Sequence, residues 1–310
     1  MKPIRFGATT TQVRIQPKNW IKTVQHIEEL GYSTVFTQDH FGTTAYDPIV
    51  FLSAAAAATK KINLGTLVFD VDYRHPVILA RTAAALHLLS GGRFEFGIGA
   101  GWDSRDYTMA GIPFDKPLVR IRRLDEALTI IRSMWTQEKT SFKGKYYNIS
   151  EMVQAGELPN GEHPKIMVGG GGKQLLTVAG RHADIIGISM SLSLTRHDTI
   201  SLAYVKKRIE WVKDSARKCG RDIEEIEFQM EFPTVITDDP EPVYESYAKH
   251  YGVSVDVTKA HPQGLIGSIS EIVDKLLLIR EETDISYMVF SPTKVEDLDP
   301  LADKVIPALS

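Results

Sequence analysis

From Ile4 to Ala308 the chain alternates short apolar β runs with stretches of helical periodicity, and this alternation decides its fold class. Strands are read at Ile4–Ala8, Thr34–Thr37, Ile62–Val68, Phe94–Ile98, Ile166–Val168, Ile185–Ile188, Ile226–Ile236 and Tyr287–Phe290. Helices are read at Lys18–Leu30, Pro48–Thr59, Pro76–Leu89, Val119–Trp135, Lys173–Ala179, Leu202–Lys218, Ser270–Glu282 and Asp299–Ala308. Strand and helix in strict series argue for a parallel sheet with crossover helices, and eight such units are what a (β/α)8 TIM barrel requires. No linker, repeat or composition shift divides the sequence, so residues 1–310 read as one barrel domain. Its insertions follow strand four (Gly101–Leu118) and strand seven (Thr237–Ser268), with a short hairpin at Thr140–Ile149 before strand five.

Several element ends have a chemical cause. Asp47-Pro48 and His75-Pro76 place proline in a helix's first turn, where its missing N–H costs nothing. Gly31 and Gly220 stand where a helix needs a left-handed exit, and Ser268 precedes Glu271 at capping-box spacing.

Charge and cysteine content narrow the partners. With 36 Lys and Arg against 39 Asp and Glu, the net charge of −3 gives no electrostatic case for nucleic acid or an acidic membrane. A small-molecule substrate is the expected partner. Cys219 is the single cysteine, which rules out an internal disulfide or thiolate cage and fits a reducing cytoplasm. The sequence opens on a strand rather than a signal peptide, and no apolar run nears the ~20 residues that span a bilayer.

In such barrels chemistry sits at the carboxyl ends of the strands. Strand four ends in Gly97, Gly99, Ala100 and Gly101 before Trp102, and bare backbone there lets a flat ligand approach closely, although an ordinary tight turn has the same pattern. Gly169, Gly170, Gly171 and Gly172 follow strand five and open a helix at Lys173, an arrangement whose free N–H groups attract phosphate. Asp39 and His40 follow strand two. His40 can exchange protons near neutral pH and a nearby carboxylate can fix its tautomer, while a hydrogen-bonded structural pair is the alternative. Arg74 could meet a phosphate or a carboxylate, or simply solvate a surface. Tyr244, Tyr247, His250, Tyr251 and His261, in the second insertion, read as packing or pocket wall. The nine histidines are scattered, with no metal-binding spacing, and no Gly-x-Ser-x-Gly elbow is present, so no metal site is expected.

Together these pieces resemble the bacterial luciferase-like monooxygenase superfamily. The marks are Glu28 to Tyr32, Asp39-His40, Tyr73 to Pro76, Ser90 to Arg93, Gly99 to Trp102 and Gly169 to Gly172. The stretch Trp102–Phe114, with Asp106-Tyr107, and Arg120 to Glu126 look most like branches that use the deazaflavin coenzyme F420. The resemblance implies a dimeric barrel that binds coenzyme F420 or reduced FMN with the ring in its mouth. It places a bulge with a non-prolyl cis peptide at Leu67-Val68, the cofactor turn at Gly99, Ala100, Gly101 and Trp102, and the phosphate loop at Gly169 to Lys173. His40 matches a histidine proposed as acid or base in deazaflavin sugar-phosphate dehydrogenases, with Asp39 positioning it or the ring. Trp102 departs from that subgroup, which has an acidic residue there, so its substrate does not transfer. The expected activity is hydride transfer between coenzyme F420 and a small organic substrate. The alternative is an FMNH2-dependent monooxygenase served by a separate flavin reductase; a non-catalytic flavin binder and a phosphate-holding barrel isomerase also fit the residues. The resemblance further places a homodimer contact on the alanine-rich helices Pro48–Thr59 and Pro76–Leu89.

Overall fold

The computed structural model describes residues 2–10, 15–42, 46–153, 158, 161–190 and 200–309. In chain order its strands are β1 (Arg5–Thr9), β2 (Thr34–Thr37), β3 (Asn63–Thr66), β4 (Phe69–Asp70), β5 (Phe94–Gly99), β6 (Thr140–Lys143), β7 (Asn148–Met152), β8 (Lys165–Gly170), β9 (Ile185–Ile188), β10 (Glu227–Ile236), β11 (Leu265–Gly267) and β12 (Ile285–Pro292). Parallel pairing runs β1–β2–β3–β5–β8–β9–β10–β12 and returns from β12 to β1, closing an eight-stranded barrel. The alternation in the sequence is thus realised strand for strand. One run differs: Ile62–Val68 divides into β3 and β4 at the Leu67-Val68 peptide, which is cis, and β4 pairs with β5 beyond the break.

The helices around the barrel are α1 (Trp20–Glu29), α2 (Pro48–Ala58), α3 (Pro76–Leu89), α4 (Ser104–Ala110), α5 (Pro117–Thr136), α6 (Lys173–His182), α7 (Leu202–Lys218), α8 (Glu241–Tyr251), α9 (Val255–Ala260) and α10 (Ile269–Glu282). α1 buries Trp20, Val24 and Ile27, one face of a helix, and Gly31 follows it at φ 82°. Asp47 caps α2 by accepting from the Ile49 and Val50 amides, and Ser268 with Glu271 forms a capping box on α10. Residues 17–19 wind as a 3₁₀ turn ahead of α1, so that helix starts two residues later than its periodicity suggests. The final helix is also less regular than expected, because a π turn at Leu301–Val305 separates Leu298–Pro300 from Ile306–Leu309. The insertion after β5 contains α4, and the one after β10 contains α8, α9 and β11. β6 and β7 form the expected antiparallel hairpin, and the Glu126 carboxylate accepts from the amides of Lys145, Tyr146 and Tyr147 in its turn.

The barrel interior is layered, and the layering makes the site. At the amino-terminal end Arg5 bonds to Glu95 at 2.5 Å and to Glu227 at 2.6 Å, lies 3.5 Å above the Tyr287 ring, and shares Glu95 with the Tyr287 hydroxyl. Each buried charge in this plug has an opposite partner, which offsets its desolvation. Above it Phe36, Met167, Ile185, Tyr287 and Val289 fill the middle completely. The next interior position on β5, β8 and β9 is glycine: Gly99, Gly169 and Gly187, with Gly169 and Gly187 paired in register. Side chains normally fill this layer of a barrel, so three glycines on consecutive strands leave it open on one side.

Candidate active site

A cavity of about 340 Å³ opens at the carboxyl ends of the strands. Its floor is the glycine row. A Cβ at Gly99 would come within 2.8 Å of Val68 Cγ2, and one at Gly187 within 2.7 Å of Gln229 Oε1. Both positions therefore exclude larger side chains and present backbone to whatever lies above. Neighbouring strands are roughly 4.8 Å apart, so the row from Gly99 to Gly187 is roughly 10 Å long, enough to seat a fused-ring ligand. Leu67 and Val68 form one wall through their cis peptide. Gly101 closes the end of β5 at φ 70°, where any Cβ would meet the Tyr107 hydroxyl.

His40 and Asp106 come together here. The buried Asp106 carboxylate, 3% exposed on α4, bonds His40 Nδ1 through one oxygen and accepts the Phe41 amide at 3.2 Å through the other. Tyr73 also donates to Asp106, and burial together with Asp70 and Asp106 pushes its phenol well above the usual range. With Nδ1 committed, Nε2 is the nitrogen of His40 left without a partner among the described residues. The Trp102 ring stands edge-on to the imidazole with centroids 5.7 Å apart, and is 71% exposed at the rim.

Asp39 belongs to a different network. Its carboxylate accepts from Arg74 at 2.6 Å and from the Asp70 amide at 3.2 Å, while Arg74 reaches on to Asp47 at 3.0 Å. The carboxylate that fixes His40 is thus Asp106 and not its chain neighbour, because adjacent residues on extended backbone point to opposite sides. Arg74 meets carboxylates, one of the partners its type suggested. Burial raises the Asp39 pKa, with Arg74 opposing the rise. Asp70 is pushed up to about 6, mainly by burial, although it accepts from the Tyr107 hydroxyl and the Asp72 amide. Arg123 then pairs with Asp72 at 2.7 Å, tying α5 to the loop after β4.

Of the residues singled out in the sequence, Asp39, His40, Leu67, Val68, Gly99, Ala100, Gly101, Trp102, Gly169, Gly170 and Gly171 all line this one cavity. Gly172 and Lys173 stand outside its wall: Gly172 is the N-cap of α6, and Lys173 lies 5.9 Å above the Trp211 ring. No side chain caps α6, so its first amides keep their capacity to receive an anion. Tyr244 bonds to the Ile266 carbonyl, and Tyr247, His250 and Tyr251 pack on one another; none of these lines the cavity. Sequence reasoning missed Gln229, Glu231 and Gln263 on the far wall, and gave Asp106 no role. The alternation Glu227-Phe228-Gln229-Met230-Glu231 signalled the first two, since it marks a strand with one polar face.

The sequence model of the luciferase-like monooxygenase family matches residues 1–282. The chain belongs to that family. Luciferase-like monooxygenases are oxidoreductases built on this barrel; some proteins resemble the chain in sequence and others in shape. An "F420-dependent glucose-6-phosphate dehydrogenase" of Amycolatopsis mediterranei is 25% identical over 88% of this chain and 81% of its own length. An F420-dependent secondary alcohol dehydrogenase, solved with an F420-acetone adduct, superposes with a TM-score of 0.86 at 19% identity over 100% of both chains. A coenzyme F420 dependent tetrahydromethanopterin reductase from Methanopyrus kandleri superposes with a TM-score of 0.81, also at 19% identity and over 100% of both chains.

Proposed function

We propose that this luciferase-like protein transfers a hydride between coenzyme F420 and an uncharged organic substrate. The observation that carries the reading is the glycine-floored slot beside His40, whose imidazole is oriented by a buried carboxylate with Nε2 left free. The residues present fit a flat ring. Side chains at Gly99 or Gly187 would fill the slot, and Leu67 and Val68 supply an apolar wall. Gly99, Ala100, Gly101 and Trp102 would flank the ring, and Gly169 to Lys173 would receive the phosphate of its tail at the uncapped start of α6. Bound there, the deazaflavin supplies two-electron chemistry; the protein supplies alignment and a proton path.

His40 Nε2 takes the proton from an alcohol oxygen in one direction or gives it to a carbonyl oxygen in the other. Asp106 holds the ring tautomer and stabilises the imidazolium that forms. Asp39 positions the cavity wall between β2 and β4, neutralised by Arg74. The described cavity wall carries the carboxyl groups of Asp39, Asp70, Asp103 and Glu231 and the imidazole of His40, with no lysine or arginine. That wall favours an uncharged alcohol or carbonyl compound over a sugar phosphate, as does Trp102 at the rim.

A homodimer through α2 and α3 and a cytoplasmic location complete the proposal. Val50 at 63%, Ile78 at 53% and Leu89 at 69% exposure give these two helices the apolar surface that an isologous contact uses. No helix among the described residues is long and apolar enough to cross a membrane. Anaerobic turnover of a panel of secondary alcohols and ketones, followed by the deazaflavin absorbance, tests the activity. Substrate-dependent bleaching or recovery without oxygen supports it. Turnover only with FMNH2 and oxygen would replace it with the monooxygenase reading.

A further inference from the structure

β10 turns three polar side chains into the barrel, Glu227, Gln229 and Glu231, while the alternating Phe228, Met230 and Phe232 join the main hydrophobic core. Glu227 is explained by its bond to Arg5 in the plug. Gln229 is not explained by the protein, and Glu231 only in part, through a hydrogen bond with Ser291. Gln229 is 1% exposed, yet its Nε2 has no hydrogen-bond partner, and its Oε1 leans across Gly187 at the end of the glycine row. Glu231 faces the same cavity with no cation near it, and burial raises its pKa, which favours the protonated acid. Gln263 steadies this wall from behind, donating to the Glu231 carbonyl at 2.8 Å and accepting the Met190 amide at 2.6 Å. A buried amide donor without a partner is costly, and an unsatisfied amide beside an acid whose one side-chain partner is Ser291, both facing one cavity, indicates a ligand edge that completes them.

We infer that Gln229 and Glu231 form a hydrogen-bond donor pole that reads the carbonyl-bearing pyrimidine edge of the deazaflavin ring. The inference rests on the proposed coenzyme and assigns its orientation: the pyrimidine end lies at β10, across the barrel from His40. The amide N–H and the acid O–H both match carbonyl acceptors, whereas the Leu67-Val68 wall offers the ring only backbone and apolar contact. The glycine row sets the plane of the ring and the pole sets its direction within that plane.

The test uses the whole protein with coenzyme F420 as the probe, read by fluorescence titration, thermal melting and the absorbance of the bound coenzyme. Gln229→Leu and Glu231→Leu should each weaken binding about 3- to 10-fold, the loss of one hydrogen bond. The Gln229→Leu apo-protein should melt at or above the wild-type temperature, since the change removes an unsatisfied buried amide N–H. Glu231→Gln keeps a donor and should bind within about twofold of wild type. Leucine variants that bind like wild type would overturn the assignment, as would a Glu231→Gln loss equal to that of Glu231→Leu. Wild-type protein that binds no coenzyme F420 would instead remove both this inference and the proposed function beneath it.

Discussion

His40 Nδ1 is bonded to the carboxylate of Asp106, a residue 66 positions further along the chain, carried by the short helix α4 in the insertion after β5. The insertion therefore completes the site: without α4, the imidazole at the end of β2 would have neither a fixed tautomer nor a counter-charge.

From this pairing, His40→Ala should lower turnover by roughly 100-fold or more while leaving coenzyme affinity within about twofold. Asp106→Asn should also lower turnover, by less, because the imidazole loses the carboxylate that holds its orientation. Steady-state kinetics with a parallel binding titration separate the two effects. Near-normal turnover in His40→Ala would make the pair structural.

The glycine row gives a cleaner test of the ring's seat. A Cβ at Gly169 meets only Val68 Cγ1, at 3.6 Å, an ordinary contact, so Gly169→Ala should fold with a melting temperature close to wild type. Its methyl group occupies the floor of the slot, and coenzyme binding should fall by roughly tenfold or more. Undiminished binding would move the ring elsewhere.

Asp70 gives the site a pH signature. Burial raises its pKa from 3.8 to about 6, so between those values the folded protein keeps a proton that the unfolded chain has released. Stability therefore falls as pH rises through this window and the penalty persists above it. Asp70→Asn should be more stable than wild type at pH 7 by about 1–3 kcal/mol, with the difference vanishing near pH 4. Denaturant melts at the two pH values measure it.

The dimer proposal is tested by sedimentation at micromolar concentration, where wild type should run as two chains and Ile78→Glu, on the exposed face of α3, as one. A wild-type monomer would exclude the contact, and so would a dimer formed through the β6–β7 hairpin.

The barrel was legible because each strand and helix carries its own periodicity, and the helix ends at Asp47, Gly31 and Ser268 follow from local capping chemistry. The Leu67-Val68 cis peptide was accessible only through the family resemblance, since the apolar run Ile62–Val68 reads as unbroken. The partner of His40 was not legible, because the distance from β2 to α4 is settled by barrel closure and not by sequence spacing. The far wall was missed for another reason. Polar alternation on a strand usually marks a solvent face, and on β10 the polar face is the interior of the barrel. Gly172 and Lys173 lie beyond the cavity wall, which ends at Gly171, and open α6, where the proposed phosphate contact would sit.

The measurement that bears most directly on the account is an equilibrium titration of the purified protein with coenzyme F420 and, separately, with FMN, followed by ligand fluorescence. The account predicts one coenzyme F420 per chain with a Kd of about 1 µM or below, and FMN weaker by about tenfold or more. Tight FMN binding with no detectable coenzyme F420 binding would contradict it.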